Sequence, residues 1–260
     1  MTRRTKYGAP AALALIAMVA VSAFGGAAVT ATPGSGRPSG PEGPPDPADF
    51  DDPQPNPYFP LEPGWAATLK GTEAGERLVE RVVVTDRTKT IQGITTTVIR
   101  DVIRHKGVLV EKTVDWYAAD DAGTVWYFGE KTAEYDDGGD VISTDGSWEA
   151  GVDGAVVGII MPADPRPIDA YRQEYAKGEA EDQGWVVERG ISLRVPYGRV
   201  DHAVRTFEWS RTQPDVMVGK LFAPGLGIVL EYTLAGGSET LELVRVNEPA
   251  ASRIRPRWGR

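Results

Sequence analysis

The chain contains no cysteine. That excludes disulfides, thiolate catalysis and any zinc or iron–sulfur site built on sulfur. It also removes the N-terminal cysteine that a lipid anchor would need. Only two histidines are present, His105 and His202. Neither lies in an H-E-x-x-H frame, so a zinc peptidase has no scaffold here. Asp201 precedes His202 and could orient its imidazole. No G-x-S-x-G elbow accompanies the pair, which leaves a Ser–His–Asp hydrolase without its nucleophile. The final residues, with Arg253, Arg255, Arg257 and Arg260, are polar and carry no hydrophobic tail.

One long apolar run exists, at 11–29, behind the basic residues Arg3, Arg4 and Lys6. Val29-Thr30-Ala31 then offers small residues at the −3 and −1 positions of a signal peptidase site, the order of a secretory signal. A transmembrane anchor is the competing reading, since about 20 apolar residues span a bilayer. The run is made of small residues and ends without a positive stop, which favours cleavage. Residues 1–31 are therefore expected to be a signal peptide, and the mature chain to be secreted or otherwise extracytoplasmic. Their removal takes away three bases and no acids. Of 28 Lys+Arg against 37 Asp+Glu, 25 against 37 remain, a net charge of −12. Such a sum argues against nucleic acid, which needs a basic surface, and against electrostatic docking on an anionic membrane.

Residues 32–64 hold 11 prolines and five glycines. A segment of that composition is expected to be a disordered, semi-rigid linker. From 65 to 246 the grammar is β. Apolar and β-branched runs at 77–86, 94–105, 108–119, 124–135, 185–195, 203–209, 217–222, 227–234 and 240–246 are separated by turn residues. The breaks are short, so neighbouring strands should pair antiparallel. The expected fold is all-β, a single strongly curved antiparallel sheet or open barrel of about ten strands. Residues 167–181 read as strand or as a short helix, and the strand reading is preferred. Residues 247–260 are expected to be an Arg-rich disordered tail.

The acidic excess is local. Residues 111–182 hold 18 acids and five bases. The same segment and its edge carry Trp116, Trp126, Trp148 and Trp185. Acids beside aromatic rings suit a cation or sugar site, while a solvated face that keeps the protein soluble is the preferred reading. On the 108–119 and 124–135 hairpin, the two-residue period puts Glu111, Thr113, Asp115 and Tyr117 on one face. Pairing Ala119 with Thr124 would set Tyr117 opposite Trp126 and make Asp115 and Glu130 diagonal neighbours, roughly 7 Å apart. A one-residue slip would undo this. Glu111, Asp115 and Glu130 are candidate Ca²⁺ ligands, and Asp115 and Glu130 a candidate glycosidase pair. Salt bridges from these acids to Arg100 or Arg104 are the structural alternative. Loops 136–140 and 143–147 are oxygen-rich but lack the order of a calcium-binding hand, and hairpin turns account for them. The stretch 147–155 suits a tight path under Trp148, as a packed bend or a binding loop. The ligand-binding candidates are Asp115, Tyr117, Trp126, Glu130, Trp148, Glu149 and Glu174.

Four blocks carry a resemblance: 115–120 (DWYAAD), 125–130 (VWYFGE), 147–155 (SWEAGVDGA) and 171–175 (YRQEY) with 178–182 (GEAED). They are similar to the signature blocks of a family of exported bacterial proteins with no assigned activity. The segment 222–229 (FAPGLGIV) resembles an element near the end of curved antiparallel-sheet envelope proteins, some of which are thought to hold lipids in a concave sheet. The resemblance implies fold only. Taken together, the sequence points to an exported, non-catalytic binding or structural module with an acidic–aromatic face, its partner a small molecule or glycan and not nucleic acid, with no cofactor beyond a possible Ca²⁺. A carboxylate-based glycan hydrolase and a lipid or amphiphile carrier are the alternatives.

Overall fold

Short X-Gly pairs set the architecture of the first half. Ala74-Gly75, Gln92-Gly93 and Lys106-Gly107 each have positive φ at both positions. That is the backbone of the two-residue hairpin loop whose twist matches its strands. They join β1 (Ala66–Glu73), β2 (Glu76–Ile91), β3 (Ile94–His105) and β4 (Val108–Ala119) into a meander. β5 (Val125–Tyr135), β6 (Val141–Ser143), β7 (Trp148–Glu149), β8 (Gly158–Met161), β9 (Ala170–Arg172), β10 (Asp182–Val195), β11 (Gly198–Ser210), β12 (Met217–Ala223), β13 (Gly227–Ala235) and β14 (Thr240–Asn247) follow. This computed structural model describes residues 45–249. The signal-peptide reading, residues 32–44 of the linker and residues 250–260 of the tail lie outside them. No helix among the described residues is long and apolar enough to cross a membrane.

The protein is all-β, a strongly curled antiparallel sheet that does not close. Its order is β6-β5-β4-β3-β2-β1-β14-β13-β12-β11-β10-β9, with β7 and β8 paired to β5 off this path. Fourteen strands replace the expected ten, because β6 to β9 are too short to show a period. The two ends of the path approach each other. Val156 bridges Tyr175, and a Cβ on Gly158 would lie 2.1 Å from the Gln173 carbonyl oxygen. Within 167–181 only β9 is strand and no helix forms: turns occupy 167–168 and 177–179, and Ala176 bridges Ala180 across the second.

The linker reading does not hold for 45–64. Pro47–Phe50 is a 3-10 turn capped by Asp46, whose side chain accepts from Ala48 N. Phe50 packs edge-on against Trp126 and Phe128. Asn56 is buried and donates to the Gly123 and Pro162 carbonyls at 2.8 and 3.0 Å. Phe59 stacks edge-on to Tyr117, 5.0 Å between centroids. Proline richness misled here for a physical reason. A chain with few N–H groups and fixed φ can lie on a sheet without orphaning donors. Residues 57–65 thus form a strap across the mouth of the curl.

Candidate functional site

The β4–β5 hairpin differs from its expected register. The loop is Asp120–Thr124, closed by Asp120 N to Thr124 O, and the Asp120 carboxylate accepts from Ala122 N and Thr124 N. Ala119 therefore pairs with Val125, Ala118 with Trp126, and Tyr117 with Tyr127. A bulge follows, at which Phe128 and Gly129 oppose Trp116 alone. Gly129 has φ +132, and a Cβ there would meet the Trp148 carbonyl oxygen at 2.3 Å. Only glycine fits that corner. Beyond the bulge Asp115 and Glu130 are direct cross-strand partners, not diagonal ones.

The larger correction concerns solvent. Glu111, Asp115, Tyr117, Glu130, Trp148 and Glu174 are all buried, with Asp115 at 0% exposed. The acidic face is the inside of the curl. Tyr127 donates to Asp115 Oδ1 at 2.9 Å. Its ring stacks on Tyr117 and meets Trp148 edge-on. Trp148 Nε1–H donates to Glu174 Oε2. Thr113 donates to Glu111 and bonds Thr132 at 3.1 Å. Neither Glu130 oxygen has a partner within the protein. Two candidates stand apart from this group. Trp126 points the other way and donates to Asp120 Oδ2 at 2.8 Å. Glu149 is half-buried and pairs with Lys89 at 2.6 Å. Arg100 and Arg104 are exposed, and two-residue alternation places them on the outer face, so they cannot neutralise the buried acids.

Burial, and then neighbouring charge, controls these carboxyls. Asp115 is pushed up to about 8 by burial and by the Asp101 charge, against the Tyr127 and Tyr117 hydroxyls. Glu130 is held well above the usual range by burial and by Asp115. Glu111 is raised by burial and by Asp101. Glu174 is raised by burial and by Asp182, which itself reaches about 6 through burial. Among the described residues no group of three or more His, Asp or Glu side chains is arranged to hold a metal ion.

A cavity of about 60 Å³ lies between this wall and the strap. At about 10–15 Å³ per water it has room for about four to six. Glu80, Asp101, Asp115 and Glu231 line it with Lys220, while Phe59, Pro60, Trp65 and Ile228 form its apolar side. Asp115 Oδ2 and Glu231 Oε1 are buried with no protein partner, while the Glu80 and Asp101 side chains hydrogen-bond to each other. Glu80 and Asp101 are raised by burial foremost, and Glu231 reaches about 7 for the same cause. Lys220 is 2% exposed. Its ammonium lies 3.1 Å from Glu208 and 3.8 Å from Glu231. Burial opposes that charge, but the Glu208 and Glu231 carboxylates outweigh it and hold the lysine protonated.

No family model and no curated protein matches the chain. Among solved structures, a Bacteroides fragilis protein assigned as exported, with a YmcC-like fold, aligns at TM-score 0.45 and 14% identity. The alignment covers 74% of this chain and 99% of that one. A Parabacteroides distasonis protein assigned as a lipoprotein aligns at 0.41 and 12%, covering 75% and 100%. At those scores neither carries a role to any residue here.

Glu80, Asp101, Lys220 and Glu231 escaped the sequence reading. A signal for them was present. Each is a charged residue with apolar residues two positions to one or both sides: Leu78 and Val82 around Glu80, Ile99 and Ile103 around Asp101, Val218 and Phe222 around Lys220, and Val229 before Glu231. In a strand those neighbours share a face, so the charge must point where they point.

Proposed function

We propose that this chain is an exported, non-catalytic binding module whose site is the acid-walled cavity beneath the 57–65 strap, and that it takes a small organic cation. The observation that carries this reading is the wall itself: four buried carboxyls, of which Asp115 Oδ2 and Glu231 Oε1 have no partner within the protein while Glu80 and Asp101 bond to each other. Buried polar atoms are normally paired, so orphans facing a cavity are groups with binding capacity to spare. Lys220 supplies an internal precedent, an ammonium already seated between two of the buried acids. The apolar side, with Phe59 and Trp65, suits the hydrocarbon part of an amine. Export rests on the features of residues 1–31.

Two other readings fit less well. A hydrolase needs one carboxyl raised and its partner left ionised, whereas Asp115 and Glu130 are both raised by the same burial. A lipid carrier needs a far larger apolar volume, on the order of 300 Å³ or more.

Titration calorimetry with n-butylammonium chloride, 1-butanol and CaCl₂ tests the proposal. Saturable binding of the amine alone is expected, tightening from pH 6 to pH 8 as the acids release protons. Asp115→Asn should weaken it at least tenfold. Equal binding of butanol, or no amine binding at pH 8, overturns the cationic reading. Saturable Ca²⁺ binding would return the site to a metal.

A further inference from the structure

The outer face of β2 to β5 is the mirror image of the cavity wall. Over 77–83 of β2, 100–104 of β3, 110–114 of β4 and 131–133 of β5, the outward positions carry Arg77, Arg81, Arg100, Arg104, Lys112 and Lys131. No acid occupies an outward position there. All six are exposed, with half-buried Val79, Val83, Val102, Val110 and Val114 between them. The cross-strand pairs alternate base with valine: Arg81 with Val102, Val102 with Lys112, Val83 with Arg100, and Arg100 with Val114. A shallow groove of about 520 Å³ runs through the patch, lined by Arg81, Arg100, Arg104 and Lys112.

None of the six bases forms an ion pair among the described residues. Three arginines of β10 and β11 behave differently. Arg189 pairs with Asp164, Arg199 with Asp201, and Arg205 with Glu188. What sets the β2–β5 bases apart is that no acid shares their face, which leaves their charge directed at whatever lies outside.

We propose that this face docks the protein onto an anionic lipid surface. The bases are spread in two dimensions over four strands, about 4.8 Å apart strand to strand, which matches a field of headgroups and not a single polymer thread. No exposed aromatic side chain lies among the outward positions of these segments, so the stacking platform of a single-stranded nucleic-acid binder is missing. Guanidinium forks bind phosphate oxygens two at a time. The valines lie too deep to insert, so the contact is peripheral and salt-sensitive. The net charge of the chain argued against such docking, but that sum counts acids that the fold has turned inward. Each base near an anionic leaflet strengthens binding roughly fivefold, so four act together as a several-hundredfold effect.

Co-sedimentation with vesicles of phosphatidylcholine containing 30 mol% phosphatidylglycerol tests the proposal, using the exported chain at about 50 mM and 500 mM salt, where screening differs several-fold. Binding is expected at low salt, lost at high salt, and absent with pure phosphatidylcholine. Replacing Arg81, Arg100, Arg104 and Lys112 together by Gln should weaken binding at least a hundredfold. Replacing Arg189, Arg199 and Arg205 by Gln should change it less than threefold. Circular dichroism confirms that both variants remain folded. No binding to the anionic vesicles at low salt overturns the proposal. So does undiminished binding by the four-site variant, or capture by soluble heparin without capture by vesicles, which would assign the face to a polyanion.

Discussion

Strands β2 to β5 carry two faces of opposite charge only a sheet's thickness apart. Inside are Glu80, Asp101, Glu111, Asp115 and Glu130, all buried. Outside are six exposed bases. The two-residue period that normally separates apolar from polar here separates acid from base. Bases in water keep their charge at little cost. Acids in the curl must be neutralised by a proton, a cation or a lysine, and the sheet uses two of these remedies. Around Lys220 a buried ammonium sits beside the acids and opposes the upward push of burial on Glu231. Around Asp115 and Glu130 no base is near, and burial holds the protons on. The pH sensitivity of the sheet thus lies on its inner face.

The largest test of this contrast is stability against pH. Asp182, Glu231 and Asp115 titrate near 6, 7 and 8 in the folded chain, and about 4 when unfolded. The folded state therefore holds protons that the unfolded chain releases. Their stabilising effect is complete below about pH 4 and is lost as pH rises through 6, 7 and 8. Each group contributes a slope of about −1.4 kcal/mol per pH unit within its window. Unfolding free energies from urea curves should fall steadily between pH 5 and pH 8, by several kcal/mol in all. A flat profile would mean that the inner acids are ionised and solvated, and the two faces alike.

Lys220→Met should have the next largest effect. It strips from Glu208 and Glu231 the only buried base among the described residues, and breaking a buried pair from one side costs about 3–5 kcal/mol. The loss should be full at pH 8 and smaller at pH 5, where Glu231 carries a proton. Adding Glu208→Gln and Glu231→Gln should recover most of it. A loss independent of pH would show that Lys220 matters for packing alone.

Much of this was legible in the sequence. The turn-bounded apolar runs gave the all-β class, and the X-Gly pairs lie at the hairpins. Asp115 and Glu130 were recognised as neighbours. Their depth was not, because polar alternation on a strand usually marks the wet side. A sheet curled on itself has an inside on both counts: some of its interior is apolar, at Leu78, Ile99 and Ile103, and some is acid. The slip of register came from a bulge at Phe128-Gly129, which no alternation count reveals. The 45–64 segment was misjudged from composition, yet Asn56, Phe50 and Phe59 are the residues that tie it down.

The strap offers a smaller effect that sharpens the contrast between the two faces. Phe59 is half-buried and lies over both Tyr117 and the cavity. Phe59→Ala should cost about 2 kcal/mol, less than the about 3–5 expected for a fully buried ring. Opening the strap also admits water to the inner acids, so the slope of stability against pH should become shallower. Vesicle binding by the outer bases should not change. A variant that lost both properties together would show that the faces are coupled.

The smallest stability change, and the most informative, belongs to Asp115→Asn at pH 5. The parent carboxyl is already protonated there. An amide of the same shape can still accept the Tyr127 hydroxyl at Oδ1, so the change should stay within about 1 kcal/mol. At pH 8 the sign is expected to favour the variant, because the parent must begin to carry a buried anion and the amide never does. Denaturant curves at the two pH values measure the difference directly. The same substitution should weaken n-butylammonium at least tenfold. Stability and binding would then move in opposite directions from one oxygen-to-nitrogen exchange. That opposition is the mark of a group kept for a ligand, since a merely structural carboxyl would give up stability and binding together or leave both unchanged.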